Sequence, residues 1–188
     1  MFRDDLLSRA ILYPKSFPAG VLDLEALINF NALGEGDERY AMSVASRFLL
    51  KSEAGAHQYG CRVASISNGR LAEKLGRPVD HDNESRVYYL GFYDLRFGDL
   101  ADVSGICFYS VDVIWCPEGG EDVHFHVELN LFDNSASRKQ RKRDRREART
   151  IISGFLVGPK RHVCECDIVC EDKVSKIDLP KLEGIVAS

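Results

Sequence analysis

A chain of 188 residues, 45% hydrophobic and 29% charged, can close one core, and its length argues against more than one or two domains. The formal charge of -4 hides a segregation: residues 138–149 hold eight basic and two acidic side chains and carry +6, so the remainder carries -10. A polyanion is therefore excluded from most of the surface and can approach only one edge.

The opening Met-Phe-Arg-Asp-Asp-Leu-Leu has neither the basic n-region nor the apolar run of a secretory signal, and no window offers the ~18 apolar residues of a membrane span. A cytoplasmic protein without a membrane partner is expected. The cysteines number six, but a chain of this length needs no disulfide staple, and Cys164 and Cys166 lie too close along one strand to bridge. Thiols are expected.

Residues 4–12 suggest a short helix closed off by Pro14 and Pro18, and residues 21–33 are apolar without a clear period. Tyr40, Ala41, Val44, Ala45, Phe48 and Leu49 recur at helical spacing, with Asp37 as N-cap, and predict a helix over 40–49. Residues 59–66 read as a strand, and 68–75 as a helix ended by Gly76 and Pro78. The crowding of Tyr88, Tyr89, Phe92, Tyr93 and Phe97 predicts a strand over 86–97, with Gly91 at a bulge.

Residues 106–116 form the next strand. Over 122–132, Val123, Phe125, Val127, Leu129 and Leu131 alternate with Asp122, His124, His126, Glu128 and Asn130, which marks a strand with one buried and one polar face. If Glu118, Gly119 and Gly120 make a three-residue turn, the hairpin pairs Val111, Val113 and Trp115 with Val127, Phe125 and Val123. The same register sets Ser110, Asp112 and Ile114 opposite Glu128, His126 and His124. After the basic segment, residues 161–170 alternate again, with His162, Cys164, Cys166, Ile168 and Cys170 on one face. The expected fold is a single α+β domain over 1–188: an antiparallel sheet of three or four strands, helices before and after it, and a basic segment projecting at 138–149.

The basic segment carries the leading functional expectation. No apolar residue occurs from Arg138 to Glu147, so the first turns of a helix there have nothing to bury, and only Ala148, Ile151, Ile152 and Phe155 anchor its end. Along that helix Lys139 lies over Arg143, Arg141 over Arg145 and Lys142 over Arg146, and each like-charge pair costs a few tenths of a kcal/mol that an anion would relieve. A nucleic-acid binding protein is expected, gripping backbone phosphates with Arg138, Lys139, Arg141, Lys142, Arg143, Arg145, Arg146 and Arg149. An acidic protein partner, or the chain's own carboxylates, are the alternatives.

The polar face of the hairpin carries the second. Ser110, Asp112, His124, His126, Glu128 and Asn130 would project the same way, successive ones along a strand roughly 7 Å apart. A solvated sheet face is the plain expectation. The sharper one is a divalent-metal site with His124, His126, Glu128 and Asp112 as ligands, in which Asp112 and Glu128 serve as catalytic carboxylates of a metal-dependent nuclease or phosphodiesterase.

The order helix, three strands, helix, strand, with Asp112 on the second strand and Glu128-Leu129-Asn130 on the third, resembles the core of the PD-(D/E)xK nucleases. That resemblance implies Mg²⁺ on the two carboxylates, with Asn130 standing where the family has the lysine that orients the attacking water. Residues 70–76 resemble the first helix and turn of a helix-turn-helix whose second helix would begin near Asn83. Asp80, Asp82 and Glu84 alternate without the glycine of a calcium loop and are expected to face solvent. His162, Cys164 and Cys166 would join His124 and His126 only if their strands were neighbours; a core face is the expected role.

Overall fold

A computed structural model describes residues 2–34, 38–103, 108–117, 122–162 and 175–184. Its strands are β1 (Leu6–Tyr13), β2 (Asn31–Ala32), β3 (Arg39–Ser46), β4 (Tyr88–Arg96), β5 (Tyr109–Trp115), β6 (His124–Leu131), β7 (Val157–Arg161) and β8 (Leu182–Glu183). The helices are α1 (Leu24–Leu27), α2 (Arg47–Leu50), α3 (Glu53–Leu75), α4 (Phe97–Ala101) and α5 (Arg138–Gly154). All strands join one sheet in the order β5-β6-β3-β1-β4-β7-β8, with β2 beside β3, and every pairing is antiparallel. The α+β class holds, but among the described residues the sheet has eight strands and not three or four.

Burial on both faces explains two of the extra strands, β3 and β1. β3 buries Met42 and Val44 on one face and Ala41 and Ala45 on the other, so its apolar residues show no period of two and mimic helical spacing. The helix expected over 40–49 is confined to the α2 turn. β1 takes the place of the helix expected over 4–12, because Leu7 and Ile11, four residues apart, share a face in a strand as they would in a helix.

α3 runs through the strand expected over 59–66. Its buried positions are Ala56, Gly60 and Ala64, a stripe of small residues that gives little hydrophobic signal but lets the helix backbone lie close to the sheet. Ser52 caps it by accepting from the Gly55 N–H at 3.0 Å, and Gly76, at φ 66°, closes it. No helix lies between Gly76 and Tyr88, which removes the helix-turn-helix expectation.

The β5–β6 register pairs Val111 with Leu129, Val113 with Val127, Trp115 with Phe125, Asp112 with Glu128 and Ile114 with His126. This is two residues away from the expected register, and the Cys116 N–H bond to the His124 carbonyl at 3.0 Å continues it past the last strand pair. An even shift leaves the faces unchanged. Asp37, the Glu118, Gly119 and Gly120 turn, and the expected strand beyond His162, with Cys164, Cys166 and Cys170, lie outside the described residues.

One core joins Leu7, Ile11, Met42, Val127 and Leu129 to Leu27 of α1, Leu100 of α4, and Ala148 and Ile152 of α5. On the other face α3 packs over β1 and β4 with Tyr89 and Phe92, while Ser43 and Ile114, on the β3-β6-β5 half of that face, stay exposed. Among the described residues no helix is long and apolar enough to cross a membrane.

β4 is buried on both sides from Tyr88 to Leu95. Tyr89 and Phe92, three residues apart, share a face because the β1–β4 register slips between Ile11 and Leu12, beside Gly91 at φ 142°. A Cβ at Gly91 would stand 2.2 Å from the Lys160 carbonyl of β7. Gly91→Ala should therefore destabilise the fold by about 2 kcal/mol or more, through backbone strain and the clash with β7. Chemical denaturation measures this, and a change below about 0.5 kcal/mol would contradict the assignment.

Candidate functional site

The basic segment is helical throughout. Ser137 caps α5: its hydroxyl accepts from the Gln140 N–H at 3.3 Å, and the Gln140 side chain accepts from the Ser137 N–H at 2.8 Å. The eight cations then divide by face. The Arg145 guanidinium lies 4.1 Å from the centre of the Tyr40 ring and donates to the Tyr109 hydroxyl at 2.9 Å. Arg141 donates to the carbonyls of Ala136 and Asn134 at 3.0 and 3.2 Å, and Arg149 is half-buried. Asp144, Ala148 and Ile152 are buried on the same helix. The segment expected to project is held along one side by guanidinium contacts, which a count of apolar residues does not register.

The outward side carries Lys139, Lys142, Arg143 and Arg146, at i, i+3, i+4 and i+7, all exposed. Among the described residues none of these four side chains makes an ion pair or hydrogen bond. Arg138 is exposed at the start of the helix.

The β6 side of the hairpin's polar face is not solvated as expected. His124, His126 and Glu128 are only 7%, 8% and 2% exposed. β6 is an inner strand with β3 and β5 on either side, and β3 was hidden by its helical spacing. Arg39 of β3 reaches across, its Nη2 donating to Glu128 Oε2 at 2.8 Å, and this bond holds the guanidinium above its ordinary pKa. The other carboxylate oxygen, Oε1, lies 3.7 Å from His126 Nδ1, a buried nitrogen that has no hydrogen-bond partner among the described residues.

Cys116 completes the group: one ligand atom each from Cys116, His126 and Glu128 all lie within 4.8 Å of one another. His124 stands beside this triad. Its ring meets that of His126 edge-on with centroids 4.9 Å apart, and its Nδ1 is 3.0 Å from the Cys116 carbonyl oxygen. Asp112 accepts from Ser110 Oγ at 3.0 Å and from Asn130 Nδ2 at 2.9 Å. Of the four ligands expected from sequence, His126 and Glu128 fall within the triad. Cys116 was missed because its place depends on the register, and the register on the length of the turn.

The order helix, three strands, helix, strand of the nuclease resemblance is interrupted by α4 between β4 and β5, although Asp112 does oppose Glu128. The sheet differs, because β6, β3 and β1 separate β4 from β5, so the three strands do not form one contiguous meander. His162 is likewise remote from His124 and His126, with β3, β1 and β4 between β6 and β7. It meets Cys61 of α3 instead, Nε2 to Sγ 3.2 Å.

The two candidate features lie on opposite faces of the sheet. α5 docks on the face that carries Tyr40 and Tyr109, while Arg39, Cys116, His126 and Glu128 occupy the other. Comparison of the chain with family models, with curated proteins and with solved structures gave no significant match.

The division of the arginines is measurable. Arg145→Ala should cost about 1–2 kcal/mol of stability by removing a ring contact and a charged hydrogen bond. Arg143→Ala, at an exposed position, should cost less than about 0.5 kcal/mol. Equal effects in chemical denaturation would mean that the helix is not anchored as described.

Proposed function

We propose that the protein binds the phosphate backbone of nucleic acid through Lys139, Lys142, Arg143 and Arg146. Four exposed cations on one face of one helix, without ion-pair partners among the described residues, are the observation that supports it. They span roughly 10 Å of helix axis, over which duplex DNA offers about three phosphates per strand. The local arrangement is costly in isolation: two like-charge pairs stack at i,i+4, and the first turn has no acidic residue to offset the positive end of the helix dipole. A polyanion relieves both costs. Contacts of this kind read backbone and not base sequence.

With all four cations on phosphates, the log-log dependence of duplex DNA affinity on salt should have a slope of about -4. Replacing the four by glutamine should abolish retention while leaving thermal stability intact, since none of them packs against the fold. A slope near zero, or a variant that binds as well as the parent, would remove the proposal; selective capture of an acidic polypeptide would redirect it to a protein partner.

A second reading is favoured by His126 Nδ1, because a buried ring nitrogen without a partner costs about 1–3 kcal/mol. A divalent metal on Cys116, His126 and Glu128 would engage it. Thiolate, imidazole and carboxylate together suit zinc better than magnesium, and three protein ligands leave a position for water, as in catalytic zinc sites. Arg39, on the far oxygen of Glu128, would orient that carboxylate. Such a centre supplies Lewis-acid chemistry of the kind that metal-dependent phosphodiesterases use. Purified protein should then carry about one zinc per chain, lost in both Cys116→Ser and His126→Ala. Metal-free protein whose melting temperature does not respond to added zinc would rule the centre out.

A further inference from the structure

We infer that Cys61 is a reactive thiol, activated by His162, and a site of thiol–disulfide exchange with low-molecular-weight disulfides. The pairing has a structural origin. A Cβ at Gly60 would lie 2.2 Å from the Tyr89 ring, so α3 rests its backbone directly on β4 at this point. The next residue, Cys61, is thereby brought to the end of β7. There the His162 N–H bonds the Leu90 carbonyl at 3.0 Å, which fixes the histidine backbone to β4. Its Nε2 lies 3.2 Å from Cys61 Sγ. Both residues are partly exposed, and Cys61 forms no disulfide.

The surroundings leave His162 as the base of the pair. Its ring stacks at a tilt against Tyr89 and His57, with centroids 5.1 and 5.2 Å away. The Tyr89 hydroxyl is 3.1 Å from His57 Nδ1, and burial pushes its pKa well above the ordinary value, so it stays protonated. Burial also lowers the pKa of His57, which keeps that ring neutral near pH 7. Charged groups among the described residues around the cluster include Glu53 of α3, 3.9 Å from His57 Nε2, Lys160 of β7, 3.5 Å from Glu53, and Arg47 and Asp94, 4.0 Å apart. The His162 imidazole, 3.2 Å from the thiol, is a base within reach of its proton.

The step follows ordinary exchange chemistry. The Cys61 proton moves to His162 Nε2, and the thiolate sulfur attacks one sulfur of the small disulfide. A new sulfur–sulfur bond forms as the old one breaks. The departing thiolate takes the proton back from His162 and leaves as a thiol. Cys61 is oxidised to a mixed disulfide, and the small disulfide is reduced in the same event.

The test uses the full chain with oxidised glutathione at about pH 7, where an ordinary thiol is mostly protonated, and peptide mapping to locate the adduct. Cys61 should be labelled first, and faster in the native protein than in the urea-unfolded chain, although folding normally shields a thiol. His162→Gln should slow labelling about tenfold or more, whereas His57→Gln should change it little. Native labelling no faster than unfolded labelling would overturn the inference without reliance on any variant. So would a folded His162→Gln protein that keeps the parental rate.

Discussion

The molecule depends on one strand being dry on both sides. β4 puts Tyr88, Leu90, Tyr93 and Leu95 into the main core and Tyr89 and Phe92 under α3, and the change of phase between the two sets is made at Gly91. That bulge aligns β7, whose Lys160 carbonyl passes where a side chain at Gly91 would be. It also sets the Leu90 carbonyl that holds His162. The placement of the Cys61–His162 pair is thus a consequence of how the central strand resolves two cores, with both partners carried by elements packed on it.

How much of this was legible in the sequence varied with how one-sided each element is. The aromatic run of β4, the bulge at Gly91 and the alternating faces of β5 and β6 could be read, because aromatic crowding and period-two patterning are local signals. β1 and β3 could not, since strands with apolar residues on both faces lose the alternation that identifies them. α3 was lost for the opposite reason: its contact stripe is alanine and glycine, so a long helix left almost no hydrophobic trace. For the candidate site, His126 and Glu128 follow from alternation, whereas Cys116 needs the register. The partner of His162 lies 101 residues away and needs the whole sheet order.

The basic helix shows that a charge count and a charge surface are different quantities. Residues 138–149 hold eight cations, yet the three that turn inward, Arg141, Arg145 and Arg149, are all arginines, and both lysines face water. The chemistry of the two side chains accounts for the sorting. A planar, weakly hydrated guanidinium can lie on Tyr40 and still donate to Tyr109, while an ammonium keeps its water. The sequence alone could not make this division, because Tyr40 read as part of a helix and not as the strand face that receives Arg145.

The arrangement of the two candidate features across the sheet bears on how they would behave together. A strand layer with its side chains is roughly 10 Å thick, about one Debye length at physiological ionic strength. The two proposed occupants would therefore not compete sterically, while their charges would still be felt across the sheet, because a protein interior holds no mobile ions and screens less than water. Any coupling between the proposed occupants of the cationic helix and of the Cys116, His126 and Glu128 group would then be electrostatic, with no conformational switch required.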